Sequence, residues 1–224
     1  MSTANETAPT TDLVNSVPAA APAPAPDQPT ASPAPITLRT PSTSLDSGTS
    51  ASIKPPPLSW IEQRWNVTHS TLPMWKKYRN VQITYKRLAG TSPAHLDDLV
   101  TYQPLKSSST RTVHGVDKPF DVPGASIAEG KELASLGYNW RGKGWLIIAA
   151  SKWEILGWGE EEGSGKKWVV TFFAKTLFTP AGVDIYSGES QLEPETIESI
   201  KTALAERGGD VATLAKGIFA VAMD

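Results

Sequence analysis

Residues 138–176 read YNWRGKGWLIIAASKWEILGWGEEEGSGKKWVVTFFAKT, and five of the eight tryptophans of the chain lie here: Trp140, Trp145, Trp153, Trp158 and Trp168. Apolar runs alternate with glycine-rich or polar breaks, the pattern of successive antiparallel strands joined by short turns. Residues 138–141 predict a short strand and Gly142-Lys143-Gly144 a tight turn. Trp145–Ala150 predicts a central strand, and Ser151-Lys152 turns into another over 153–159. Glu160–Gly165 predicts a hairpin tip and Lys166–Thr176 a long strand. On that last strand Trp168, Val170, Phe172 and Ala174 share the face assigned to a core or cavity, and Lys167, Thr171 and Lys175 share the face assigned to water.

Outward from this stretch, the chain is uneven. Residues 1–57 hold twelve of the nineteen prolines and no aromatic residue. Such a segment buries too little apolar surface to offset its ordering entropy, so 1–57 is expected to be a disordered Pro/Ala/Ser/Thr-rich tail. The tail carries four acids against two bases, which leaves 58–224 neutral. A neutral domain argues against nucleic acid as a partner, because phosphate binding needs an excess of Lys and Arg. There is no cysteine, hence no disulfide, thiol catalysis or cysteine metal site. No signal or transit peptide is evident and the longest apolar run is too short to span a bilayer, so a cytoplasmic protein without a membrane span is expected.

Ser59 is expected to cap a helical turn over 60–64. Trp65–Ser70 alternates with period two and predicts a strand whose inner face is Trp65, Val67 and His69. Strands are also predicted over 79–88, with Val81, Ile83 and Tyr85 inward, over 97–105 and over 112–116. Residues 117–131 read as an irregular loop. Thr179-Pro180-Ala181-Gly182 is expected to end the strands. Pro194 opens a helix with an Ile197, Ile200, Leu204 stripe, Gly208 stops it, and Asp210 caps a second helix carrying Leu214, Ile218 and Val221. The helices occupy about 191–222. Seven or eight strands joined by short turns make an antiparallel meander, which closes into a β-barrel because closure removes exposed edges.

The early tryptophan in Trp65-Asn66-Val67-Thr68 and the order WEILGWG…KKWVVTFFAKT followed by a helix resemble the calycin superfamily, the lipocalins and their relatives. The pattern is most similar to small lipocalin-like proteins predicted in filamentous fungi, and covers about 60–205. It departs from the usual Gly-x-Trp, because Gln63 takes the glycine place. The resemblance implies a cavity for a small hydrophobic ligand.

Candidate lining residues are Trp65, Trp140, Trp145, Trp153, Trp158, Trp168 and Phe172. Aromatic walls suit apolar ligands and an indole N–H can fix one polar atom; the competing reading is that several of them plug the barrel floor. Tyr85 and Tyr102 are candidates for hydrogen bonding to a ligand. His69 is a candidate ligand-binding residue, as an acid/base group or a haem-type ligand, or else a hydrogen-bonded or rim histidine. Arg141 could clamp a carboxylate or stack on Trp140. No HxH or HExxH pair exists, so neither a metal nor a cofactor is expected. Gly163-Ser164-Gly165-Lys166-Lys167 is not a phosphate loop, since position 160 is Glu and position 167 is Lys. Three functions stay open: a non-catalytic binder of a hydrophobic small molecule, an isomerase or cyclase working mainly by positioning, and a structural or interaction protein with a filled barrel.

Overall fold

The computed structural model describes residues 1, 35–43, 52–123, 132–177 and 179–224, and for Trp145 the backbone alone. Eight strands run in order as an antiparallel meander. They are β1 (Arg64–Ser70), β2 (Tyr78–Arg87), β3 (Leu96–Pro104), β4 (Arg111–Pro119), β5 (Gly137–Gly142), β6 (Ala150–Glu160), β7 (Lys167–Phe173) and β8 (Gly182–Ser187). Each pairs with the next, and β8 pairs with β1. The ring closes where β1 meets β2, from Arg64↔Thr84 to Asn66↔Gln82. Beyond that short pairing a last strand, β9 (Phe219–Ala220), lies along β1. The Ala222 carbonyl accepts from Asn80 N at 2.9 Å, so the C-terminal segment fills the gap between β1 and β2.

Four connections, 71–77, 105–110, 143–149 and 174–181, lie at one end of the barrel, called the rim below. The opposite end is closed by helix α1 (Leu58–Ile61). There Trp65 Nε1 donates to the Ile61 carbonyl at 3.0 Å. The turn starts at Leu58, after Pro57, and has no side-chain cap, so Ser59 is not its cap. Helices α2 (Pro194–Glu206) and α3 (Gly209–Ala215) follow β8.

Two apolar clusters result. The interior cluster joins Trp65, Val67, Val81, Ile83, Tyr85, Tyr138, Trp153 and Val169 among others. The outer cluster packs Ile197, Ile200 and Leu204 of α2 against Trp168, Val170, Phe172 and Ile185 on the outside of β7 and β8. The α2 stripe read from its 3.6-residue period is the buried one.

Several expectations are corrected. Trp145–Ala150 is not a strand: β5 stops at Gly142, Gly144 turns the chain at φ +61°, and a 3₁₀ turn covers Gly144–Leu146. A short apolar run does not distinguish a buried strand from an exposed loop by periodicity, and here Ile147 and Ile148 are exposed. Thr179–Gly182 does not end the strands but leads into β8, whose six residues are all buried. Helix α3 is capped by Gly208 at φ +71°, not by Asp210, and Ile218 and Val221 lie beyond it.

Part of the expected tail also packs on the barrel. Leu38 is buried, and Arg39 N donates to the Leu156 carbonyl at 2.8 Å. Arg39 Nη2 meets Glu154 Oε2 at 2.5 Å, both side chains about as buried as the core. Gly157 permits this approach, because a Cβ there would stand 2.2 Å from Leu38. Residues 2–34 and 44–51 of that tail lie outside the described residues.

Candidate functional site

The inner wall divides into a packed half and an accessible half. Near the closed end, Trp153 stacks between Tyr85, at 5.5 Å and 19°, and Tyr138, at 4.7 Å and 22°. Trp65 is fully buried beside them. Towards the rim the same inner faces become partly accessible. On β3 the series runs from buried Leu96 and Asp98 to half-buried Val100 and Tyr102. On β4 it runs from buried Asp117 and Gly115 to half-buried Val113 and exposed Arg111. On β5 it runs from Tyr138 to half-buried Trp140, and on β6 from Trp153 to half-buried Ser151. The register places these residues side by side, with Val100↔Val113, Tyr102↔Arg111 and Trp140↔Ser151. The inner faces thus stay partly accessible towards the rim, the mouth of the barrel, above an aromatic floor. Gly115 makes room for the Trp140 ring: a Cβ there would stand 2.2 Å from the indole nitrogen. Tyr102 packs on Tyr78 at 4.5 Å and on Trp75 at 5.8 Å, which fixes one side of the mouth.

The floor is also acidic. Trp153 Nε1 donates to Asp117 Oδ1 at 2.8 Å. Asp117 Oδ2 and Asp98 Oδ1 are buried with no hydrogen-bond donor among the described residues. Burial raises the Asp98 carboxyl to about 7, with the Asp97 charge adding to it. Burial and then the Asp98 charge push Asp117 well above the usual carboxylate range. Two buried carboxyls on one face cannot both ionise cheaply, so the pair retains a proton at neutral pH. Tyr186 adds a buried hydroxyl whose polar neighbours include Tyr85, Thr171 and Asp184. Asp184 accepts from Ser70 Oγ at 2.5 Å and Trp75 Nε1 at 3.3 Å, yet burial lifts it to about 7.

These groups set a pH dependence. Between the ordinary value of 3.8 and about 7, the folded chain holds protons on Asp98 and Asp184 that the unfolded chain has released. The native state binds more protons there, so stability falls as pH rises through that window. Asp117, raised further, extends the loss upward. Tm is expected to drop by at least about 4 °C between about pH 5 and about pH 8. The double variant Asp98→Asn/Asp184→Asn flattens the curve, and a wild-type curve that rises over the window contradicts the assignment.

The structure brings Trp65, Tyr85 and Trp153 together in the packed half and Tyr102 and Trp140 at the mouth. It moves others away. The β1 register shifts between Val67 and His69, a bulge that turns His69 outward opposite Ile185. There burial and then the Lys201 charge hold its imidazole below the ordinary value. Trp168 and Phe172 face the outer cluster, so the faces of β7 are the reverse of those expected; Trp168 lines an external pocket of about 510 Å³. Trp158 donates Nε1 to the Lys54 carbonyl at 2.7 Å. Arg141 alternates with Trp140, stands outside, and donates to the Ile147 carbonyl at 3.1 Å. The Trp145 side chain lies outside the described residues.

Sequence reasoning missed Asp98, Asp117, Asp184, Val113, Ser151 and Arg111. Arg111 pairs with Tyr102 across β3 and β4 at the mouth, while Arg141 lines the pocket that Trp140 and Ser151 also touch. The available signal was alternation: in LDDLVTY, Asp98 shares parity with Leu96, Val100 and Tyr102. Among the described residues no cluster of three His, Asp or Glu could hold a metal ion, and no helix is long and apolar enough to cross a membrane.

No family model matches the sequence, and no curated protein matches it. Solved structures do resemble the fold. Lobster apocrustacyanin A1 superposes with a TM-score of 0.48 at 11% identity, over 88% of this chain and 94% of that one. H1 crustacyanin from the lobster Homarus americanus gives the same figures, 0.48, 11%, 88% and 94%. The siderocalin Ex-FABP, described as having dual ligand specificities, gives 0.43 at 13% identity, over 73% of this chain and 94% of that one. The barrel itself stands on the strand register described above.

Proposed function

We propose that this chain is a lipocalin-like barrel that binds a small hydrophobic molecule in the cup at its rim. The observation that carries this reading is the exposure gradient, repeated on four neighbouring strands, from a sealed floor to half-buried Val100, Tyr102, Val113, Trp140 and Ser151. Apolar and aromatic walls with a few convergent polar groups are the usual makeup of a small-molecule site. Arg111 at the mouth suits an acidic end of the ligand.

Nile red, a planar apolar dye, tests this. Wild-type protein is expected to bind it saturably, with dye emission shifted to the blue. Val113→Trp and Ser151→Phe fill the cup and weaken binding by at least about tenfold. Arg141→Ala, on the outer face, leaves it unchanged. Binding that ignores both filling variants, while they remain folded, overturns the reading.

A second reading has its own observation. Two inward carboxyls that share a proton near neutral pH are suited to general acid–base work, so an isomerase or cyclase is supported by the Asp98/Asp117 pair. Turnover lost in Asp117→Asn with dye binding retained separates catalysis from binding.

A further inference from the structure

Five large apolar side chains of the described barrel are well exposed: Met74, Leu105, Ile147, Ile148 and Leu177. They do not scatter. One lies on each of the connections 71–77, 105–110 and 174–181 and two on 143–149, so all five stand at the rim. Single exposed apolar residues need no explanation, but a set confined to one end marks a contact surface.

Charge is polarised along the same axis. The four rim connections carry Lys76, Lys77, Lys106, Lys143 and Lys175 and no Asp or Glu, with Lys143 alone of the five paired to a carboxylate among the described residues, Asp97 Oδ1 at 2.5 Å. Among the described residues, the opposite connections 88–95, 120–123, 132–136 and 161–166 carry Asp121, Glu132, Glu161 and Glu162 against only Lys166. A domain with no net charge is therefore cationic at the end where its apolar side chains are exposed.

A third observation adds to both. A pocket of about 570 Å³ opens beside the rim, between β5, the start of β6 and the connection after β7, and Trp140 and Ser151 are part of its lining. Its charged lining residues are Lys118, Arg141, Lys152 and Lys175, with no acid. None of the four has a carboxylate partner among the described residues: Lys152 lies 5.3 Å over the Phe120 ring, and Arg141 bonds a carbonyl. Four cations gathered without a counter-ion leave the pocket ready for an anionic group.

We infer that the rim docks on an anionic phospholipid surface, with a lipid phosphate held in the Lys118/Arg141/Lys152/Lys175 pocket. Ile147, Ile148 and Leu177 enter the headgroup layer, and the lysines meet the negative surface potential. The mouth of the cup then faces the lipid. The apolar residues and cations of this inference lie off the inner wall, although the pocket also touches Trp140 and Ser151.

Vesicle flotation of the full chain tests it, with phosphatidylcholine vesicles alone and with about a third phosphatidylserine. The chain is expected to float with the anionic vesicles at low salt and much less with the neutral ones. Ile147→Ser/Ile148→Ser and Lys152→Glu/Lys175→Glu each lower partitioning by at least about tenfold. Lys216→Glu, exposed on the helical side, leaves it unchanged. These side chains are exposed, so unaltered thermal melts are expected for all three. A chain that stays in solution with both vesicles overturns the inference. So does binding of inorganic phosphate at the pocket without flotation, or rim variants that only split a dimer. If Nile red binding fails while flotation succeeds, the cup reading falls and this one stands.

Discussion

Trp153→Ala is expected to lower unfolding stability by about 3–5 kcal/mol, the largest single effect in the barrel interior. The indole is 2% exposed and stacks on Tyr85 and Tyr138 at once. Removing it leaves a cavity between two fixed rings, and the closed barrel has little freedom to collapse into it. It also removes the one donor that Asp117 Oδ1 has among the described residues. Trp153→Phe separates the two losses: the stack is largely kept, the donor is gone, and the cost falls to about 1–3 kcal/mol. Urea unfolding midpoints at constant slope read both values. A cost below about 1 kcal/mol for Trp153→Ala contradicts a packed floor.

Arg39→Ala is expected to cost about 3–5 kcal/mol, because it leaves Glu154 charged, buried and short of its partner. Arg39 Nε also donates to the Ile155 carbonyl at 2.8 Å, so its loss strands a second acceptor. Glu154 keeps the amide of Ser42, at 3.0 Å, which offsets a small part of the penalty. Arg39→Met/Glu154→Leu removes both charges together and is expected to recover most of the stability. Urea unfolding of the two single variants and the double gives the coupling. Single variants as stable as wild type contradict the docking of 35–43 on β6.

The architecture was legible for a plain reason. Period-two alternation and turn residues mark strands locally, and seven of the eight barrel strands were located that way within a few residues, with one false strand added at the rim. The failures have local causes. The 145–150 run has the composition of a central strand, but Gly144 turns it into the rim. β8 was hidden because Pro180 and Gly182 read as a terminus, whereas Pro180 precedes a strand and Gly182 begins it. The site was less legible. Face assignment follows parity only while register is kept, and the bulge after Val67 turned His69 outward. On β7, parity paired Trp168 with Phe172 correctly but could not say that α2 covers that face. Asp98 and Asp117 were unseen because acids in strands are ordinarily outward, and only the barrel's closure shows that theirs is the inner wall.

The binding reading rests on a sealed floor beneath an accessible mouth. A Nile red titration of the full chain, followed by the tryptophan indole N–H resonances, tests it. The Trp140 resonance is expected to move in step with dye binding. Trp65, sealed beneath the stack, and Trp168, under α2, stay in place. A titration that moves Trp168 and leaves Trp140 unchanged contradicts the account and places the ligand on the outer wall.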